Sequence, residues 1–251
     1  MKMQIKTDGI IRSSLLSQQG VIHGFSTKQI GNMSFDRSQK GRANNNQQIF
    51  FQKLGIDLNQ TAVFFPPVRH STNVALVSKS DKNNGRIILN DQSQEIIILD
   101  REKAQPGIDS CISFNYNTFL AILPADCAPV MLFEPLTKFF GLIHVGSLGL
   151  KNNIIEKTFD CLKKHCEIPA RHFYCYIGPC ICKNCYTHQV DLRNLIAGRL
   201  FDIGVSGSKM EVSQLCTAHD EQLFFSHHRA QKSGKDQAEG RNMAIIGLKK
   251  Q

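Results

Sequence analysis

Three residues of this chain have metal-binding side chains and sit where folded proteins usually expose such groups. His70 follows Pro66-Pro67-Val68-Arg69 and precedes a stretch that reads as a strand. Cys127 lies in Pro124-Ala-Asp-Cys-Ala-Pro129, a polar break between two apolar runs. His144 ends another apolar run and is followed by Val-Gly-Ser-Leu-Gly. Strand ends and the loops after them are where binding and catalytic groups concentrate. Two imidazoles and one thiolate suit zinc, and three protein ligands leave a fourth position for water or substrate. Asp126, beside the thiol, is placed to orient a ligand or to act as a general base.

Spacing alone does not single out this trio, because ligands far apart in sequence have no diagnostic pattern. A more local group competes with it: Cys175, Cys180, Cys182 and Cys185, in Cys-Tyr-Ile-Gly-Pro-Cys-Ile-Cys-Lys-Asn-Cys-Tyr. Cys182 and Cys185 form a Cys-x-x-Cys pair, but a structural zinc site normally needs a second pair at ribbon spacing. A second zinc is therefore weighed against a cysteine-rich turn at a strand end, and the turn is preferred. Other templates fail. There is no His-Glu-x-x-His, no Gly-x-Ser-x-Gly elbow and no glycine-rich phosphate loop. The nucleobase deaminase signature needs His-x-Glu upstream of Pro-Cys-x-x-Cys; here Lys183 stands where the second cysteine should be.

The elements that must position these residues are short. Thr118–Leu123, Val130–Phe133 and Phe139–His144 are apolar runs bounded by Pro, Asp or Gly, which favours buried strands over helices. Thr72–Val77, Phe173–Ile177 and Met243–Leu248 also read as strands, and Arg86–Leu89 with Glu95–Leu99 as a hairpin. Ile155, Phe159, Leu162 and Cys166 share one helical face, and Leu192, Leu195, Ile196 and Leu200 mark another helix. Ser34–Gln48 reads as a polar loop entering a helix whose apolar face is Ile49, Phe50 and Leu54, ended by Gly55. Strands and helices mix without strict alternation, so one mixed α/β (α+β) domain over residues 1–251 is expected.

Composition narrows the partners. Hydrophobic residues are 41% and charged residues 20% of the chain, enough apolar material for a sizeable core. A net charge of +9 favours anionic ligands. The basic residues are scattered, with Lys163-Lys164 and Lys249-Lys250 among the densest groups, so no nucleic-acid stripe is present. No stretch has the length of a membrane span, and Lys2–Lys6 leads into polar residues rather than a secretory apolar run. Nine cysteines in a chain expected to be cytoplasmic point to thiols, metal ligands or a nucleophile rather than disulfides; a monomer or homodimer without membrane partners is expected.

Read together, the motifs resemble the laccase-domain family, also called multicopper polyphenol oxidase-like, purine nucleoside phosphorylase or peptidoglycan editing factor proteins. The family's His-Gly-Phe-Ser-Thr-Arg is similar to His23-Gly-Phe-Ser-Thr-Lys28, and its Gln-Val-His-Gly to Val68-Arg-His-Ser71. Ala-Asp-Cys-x-Pro-Val is met in full by Ala125-Asp-Cys-Ala-Pro-Val130. His-Ala-Gly-Trp-Arg-Gly becomes His144-Val-Gly-Ser-Leu-Gly149. Ile177-Gly-Pro-Cys-Ile181 with Cys185-Tyr-Thr187, then Cys216-Thr217, Phe224-Phe-Ser226 and Gly240-Arg-Asn-Met-Ala244 resemble the later motifs, in the family's order.

The resemblance implies a layered α/β/β/α domain with His70, Cys127 and His144 as zinc ligands. It implies phosphorolysis of purine nucleosides such as adenosine, inosine and methylthioadenosine, with adenosine deamination at the same site. Copper is less favoured, because a multicopper relay needs more than one such triad. Asp126, Cys127 and Lys28 are the expected catalytic residues. His23, Ser26, Cys180, Arg229 and Arg241 are expected around nucleoside and phosphate. The chain departs from the family at Lys28 for Arg, at Ser147 and Leu148 for Trp and Arg, and at Thr187 for Glu. Two other readings stay open: a hydrolase or peptidoglycan-precursor editing factor with Cys127 as nucleophile, and a metal-binding member with weak or lost activity.

Overall fold

The central apolar runs carry hydrophobic residues at odd and even positions alike, so strands built from them have two faces to bury. Each needs a layer on either side. The computed structural model describes residues 8–35, 44–79, 87–88, 94–100, 107–234 and 240–250. The first half of the chain gives β1 (Ile10–Ile11), α1 (Ser14–Gln18), β2 (Ile22–Ser26), α2 (Asn45–Lys53), β3 (Ala62–Phe64) and β4 (Val74–Lys79). Then follow β5 (Ile87–Ile88), β6 (Gln94–Asp100), β7 (Ser110–Ser113), β8 (Thr118–Ile122), β9 (Ala128–Phe133) and β10 (Phe140–Val145). The second half gives α3 (Ser147–Lys151), α4 (Ile154–Cys166), β11 (Tyr174–Ile177), α5 (Leu192–Asp202), β12 (Met210–Val212), α6 (His227–Lys232) and β13 (Ala244–Leu248).

The strands form two mixed sheets, β1-β2-β13-β8-β3-β5 and β12-β11-β9-β10-β7-β4-β6. Their facing sides share one apolar layer: Leu120, Ile122 and Ile246 from the first sheet meet Met131, Phe133, Phe140 and Leu142 from the second. The alternate positions of the same strands face outwards. Phe119, Ala121 and Ile245 pack with Phe50 and Phe51 of α2. Val130, Leu132, Ile143 and Val145 pack with Ile154, Phe159 and Leu162 of α4 and with Ile196 and Leu200 of α5. The expected α/β/β/α layering is the fold. Each buried side chain in these layers contributes about 1.5–3 kcal/mol relative to exposure.

Three expectations are corrected. Ile87–Ile88 and Gln94–Asp100 are strands but not a hairpin: β5 pairs with β3 in the first sheet and β6 with β4 in the second. Alternation identifies a strand but not its partner, so adjacent runs looked paired; Arg86 and Leu89 lie outside the described residues. The stretch read as loop up to Gln48 already contains the first turn of α2, capped by Asn44 in a reciprocal box with Gln47. Finally, Ile49 faces solvent, while Gln47, Phe50 and Phe51 are buried. Among the described residues no helix is long and apolar enough to cross a membrane.

Two of the passages from one sheet to the other run between β3 and β4 and between β8 and β9. These two crossings carry His70 and Cys127. The end of β10 carries His144, paired in register with Pro129 at the start of β9. The topology thus delivers three segments distant in sequence to one end of the sandwich.

Candidate metal centre

Donor atoms of His70, Cys127 and His144 all lie within 4.8 Å of one another. The His70 and His144 ring centroids are 5.0 Å apart. Both crossing turns hold a non-glycine residue in the left-handed region: His70 itself at φ 57°, and Asp126, immediately before the thiol, at φ 92°. Such conformations cost about 1–3 kcal/mol and persist only where the surroundings enforce them. Two buried aspartates do so here.

Asp109, directly ahead of β7, accepts from the backbone N–H groups of Arg69 and Ser71 and from Ser71 Oγ through Oδ2. Its Oδ1 accepts from the N–H of His70 at 3.0 Å and lies 2.8 Å from His144 Nδ1. One carboxylate therefore shapes the His70 turn and orients the His144 ring. With Nδ1–H given to Asp109, Nε2 of His144 is the atom left to face a metal. Burial would raise the Asp109 carboxyl, but His144 and the amide donors outweigh it and hold the pKa below the ordinary aspartate value. Burial alone would lower His144; the negative charge of Cys127, with Asp109 behind it, pushes it up to about 10. His70 is held below the usual imidazole value by burial and by the charge of His144, with Asp109 opposing. Sequence reasoning missed Asp109. A lone carboxylate just ahead of an apolar run was the available signal, the same setting that marked His70.

Asp126 does the corresponding work for Cys127. Its Oδ1 accepts from Thr217 Oγ1 at 2.7 Å, and its Oδ2 accepts from the N–H of His228 and lies 3.1 Å from His228 Nδ1. Burial raises its pKa, but the donors on His228 and Thr217 bring it below the ordinary value.

The trio opens into a cavity of about 630 Å³, within the range of small-ligand sites. Asp126, Tyr186, His228 and Arg241 also line it. Tyr186 donates to Ser147 Oγ at 3.0 Å, so Ser147 anchors an aromatic ring that packs edge-on to His188 and His228. Leu148 is also at the cavity.

Five expected site residues lie elsewhere. His23 is buried, with Nε2 accepting from the Ser13 amide and Nδ1 facing the Val21 carbonyl. Ser26 Oγ accepts from the Met243 amide. Cys180 is fully buried in the layer beneath α4 and α5. Arg229 spends its guanidinium on the carbonyls of Thr217, Ala218 and Phe224. Lys28 holds its ammonium over the Phe225 ring. Arg241 is the lysine or arginine that reaches the cavity wall among the described residues.

A Cβ at Gly146 would stand 2.9 Å from Cys127 Sγ and 3.1 Å from His70 Nδ1. The space between the donors therefore exists because residue 146 has no side chain. Gly146→Ala is expected to keep the fold, since φ −99° suits any residue. It should weaken metal binding about tenfold, in keeping with about 1–3 kcal/mol for overpacking. Competition with a chelator of known affinity measures this.

The model of the family described as "Multi-copper polyphenol oxidoreductase laccase" matches residues 17–189 and 187–249. The chain belongs to this family. A relative in Bacillus subtilis, named purine nucleoside phosphorylase YlmD, is 30% identical over 174 residues, 58% of this chain and 60% of that protein. That alignment spans less than two thirds of the relative's length. The Geobacillus stearothermophilus protein of the same name is 27% identical over 72% of this chain and 70% of its own. The crystal structure of YlmD from Geobacillus stearothermophilus superposes with a TM-score of 0.77 at 23% identity, covering 99% of both chains. That of the Bacillus licheniformis hypothetical protein YfiH gives 0.75 at 23% identity, covering 98% of both. At these identities the likeness is one of fold.

Proposed function

We propose that the chain is a zinc-dependent purine nucleoside phosphorylase, with His70, Cys127 and His144 as the zinc ligands and adenosine deamination at the same site. The observation that carries this reading is the convergence of the three donors, oriented by Asp109, on a cavity large enough for a nucleoside. Relatives named purine nucleoside phosphorylase supply the substrate class. The donor set fits zinc: two imidazoles and one thiolate, a fixed tautomer on His144 and a gap at Gly146 that a side chain would fill. The cavity lining contains no methionine for the weak axial position of a blue-copper centre, among the described residues. When bound, zinc would supply a Lewis acid and a fixed positive charge.

The chain's own residues divide the remaining work. Arg241 draws phosphate into the cavity in the role expected of Lys28. Tyr186, held by Ser147, gives one wall a π surface for a planar base. Phosphorolysis breaks the bond from C1′ to the base as phosphate oxygen bonds to C1′, and the departing base takes up a proton. His228, oriented through Nδ1 by Asp126, presents Nε2 beside Thr187 Oγ1 for that transfer. Asp126 thus acts through His228 and positions it.

The test is phosphate-dependent release of free base from inosine or adenosine by zinc-loaded protein. No release from any purine nucleoside at full zinc occupancy would sink the reading. Arg241→Ala is expected to raise the KM for phosphate about tenfold with a smaller change in kcat, since a charge-assisted hydrogen bond is worth about 1.5–3 kcal/mol. Steady-state kinetics with phosphate varied measures it.

One geometric feature favours a second reading. Cys127, His144 and Asp109 form a row in which the thiol meets the imidazole and the imidazole meets the carboxylate. That is also the order of nucleophile, base and orienting group in a thiol hydrolase.

A further inference from the structure

A second group of sulfurs stands behind the cavity wall. Cys182 and Cys185 lie in the turn that follows β11, and Cys216 in the loop after β12. Their three Sγ atoms lie within 4.8 Å of one another, and none is in a disulfide. The structure therefore divides the sequence's cysteine cluster. Cys175 and Cys180 are fully buried in the apolar layer, while Cys182 and Cys185 are half-buried and gain Cys216 as a partner.

The backbone around these sulfurs is arranged for negative charge. Cys216 Sγ accepts from the amides of Cys182 at 3.2 Å and His219 at 3.3 Å. The amides of Asn184 and Cys185 are aimed at Cys182 Sγ. A neutral thiol is a weak acceptor and needs no such donors, whereas a thiolate bound to a cation does. The sequence around Cys216 is Cys-Thr-Ala-His, so the two segments supply Cys-x-x-Cys and Cys-x-x-His. His219 is anchored through its amide to Cys216 Sγ and its side chain is exposed. A cavity of about 290 Å³ reaches Cys182 from the surface, giving an ion a way in.

We propose that Cys182, Cys185 and Cys216 bind a second metal ion of the borderline-to-soft d¹⁰ class, zinc(II), through their three Sγ atoms. Three thiolates supply three positions of the tetrahedral, sulfur-rich set that zinc favours. Each thiol that binds gives its proton to water, and no electron is transferred. The ion fastens the loop carrying Tyr186 to the loop carrying Thr217, whose hydroxyl donates to Asp126. It thereby braces two walls of the cavity from behind. This site is independent of the reading of His70, Cys127 and His144.

The experiment uses the full chain with Cys127→Ser, which removes the sole thiolate of the first site. Cobalt(II) is titrated in, and the thiolate-to-cobalt charge-transfer band is followed. A band that saturates at one cobalt per chain, is displaced by zinc and is lost on adding Cys182→Ser is the expected result. Elemental analysis should then give one zinc ion per chain in Cys127→Ser, whatever the first site holds in the wild type. Absence of the band with all three cysteines intact overturns the proposal, and that readout does not depend on any cluster variant folding. So does unchanged reactivity of the three thiols toward a disulfide reagent when zinc is added.

Discussion

Asp109→Ala is expected to lose zinc and to lower stability by about 3–5 kcal/mol, the usual consequence of removing one partner from a buried charged pair. The carboxylate is fully buried beside His144. It also accepts from the amides of Arg69, His70 and Ser71. Without it the turn that carries His70 loses all these acceptors, and the left-handed backbone at His70 has nothing to hold it. Asp109→Asn separates the metal from the fold. An amide keeps the volume and, with its oxygen in the place of Oδ2, the acceptor for Arg69 and Ser71, so only the His70 N–H loses its partner. Its NH₂ then faces His144 Nδ1 and forces the proton to Nε2, the tautomer that cannot ligate. Zinc affinity should fall about 10–100-fold, the range for losing the group that orients a metal-bound histidine, with most of the fold retained. Chemical denaturation and chelator competition on both variants measure the two effects. Equal zinc affinity in Asp109→Asn and wild type would remove Asp109 from the site.

The sign of the associated pH dependence follows from the same contacts. The folded-state pKa of Asp109 lies below its ordinary value. Its contribution to stability is therefore present above the unfolded-state pKa and disappears as pH falls through the folded one. Loss of this contribution belongs to strongly acidic solution, below the usual aspartate range, and Asp109→Asn should flatten that part of the curve.

How much of this was legible in the sequence depended on whether the signal was local. Apolar runs such as Val130–Phe133 announced themselves as buried strands because both faces are hydrophobic. Their partners did not, since β8 and β9 are consecutive yet belong to different sheets. The metal trio was visible through ordered motifs, because the residues around each ligand carry the resemblance. Asp109 was invisible for the opposite reason: its connection to His144 is made by the pairing of β7 with β10, with Ser110 opposite Ile143. Lys28 shows a different limit. A motif places a backbone, but the ammonium lies over Phe225, and Arg241 occupies the cavity wall instead. His228 gained a role only when α6 was folded against the Cys127 turn, where Asp126 accepts from its amide.

At the proposed site zinc has to displace a proton, and that sets the second large effect expected. Without metal, His144 is charged: it lies between Cys127 and Asp109, and its pKa is pushed up to about 10. Ligation needs a neutral Nε2, so each zinc that binds releases that proton. Apparent zinc affinity should therefore rise about tenfold per pH unit across neutral and alkaline solution, levelling off as pH reaches the His144 value rather than near that of a free imidazole. His70 adds no further slope there, because its own pKa is lowered. Chelator competition at a series of pH values gives the slope, and a plateau beginning near the ordinary imidazole value would overturn the pairing. The same pair sets Cys127 Sγ against the His144 imidazole, the arrangement of a nucleophile and its partner. Iodoacetamide should label Cys127 rapidly in metal-free protein and fail to do so once zinc is bound. Labelling that persists at full zinc occupancy would mean that the sulfur is not a ligand and would move the balance to the thiol-hydrolase reading. Protection by zinc, together with proton release over the same pH interval, ties both observations to one atom, Cys127 Sγ, held by zinc in one state and paired with His144 in the other.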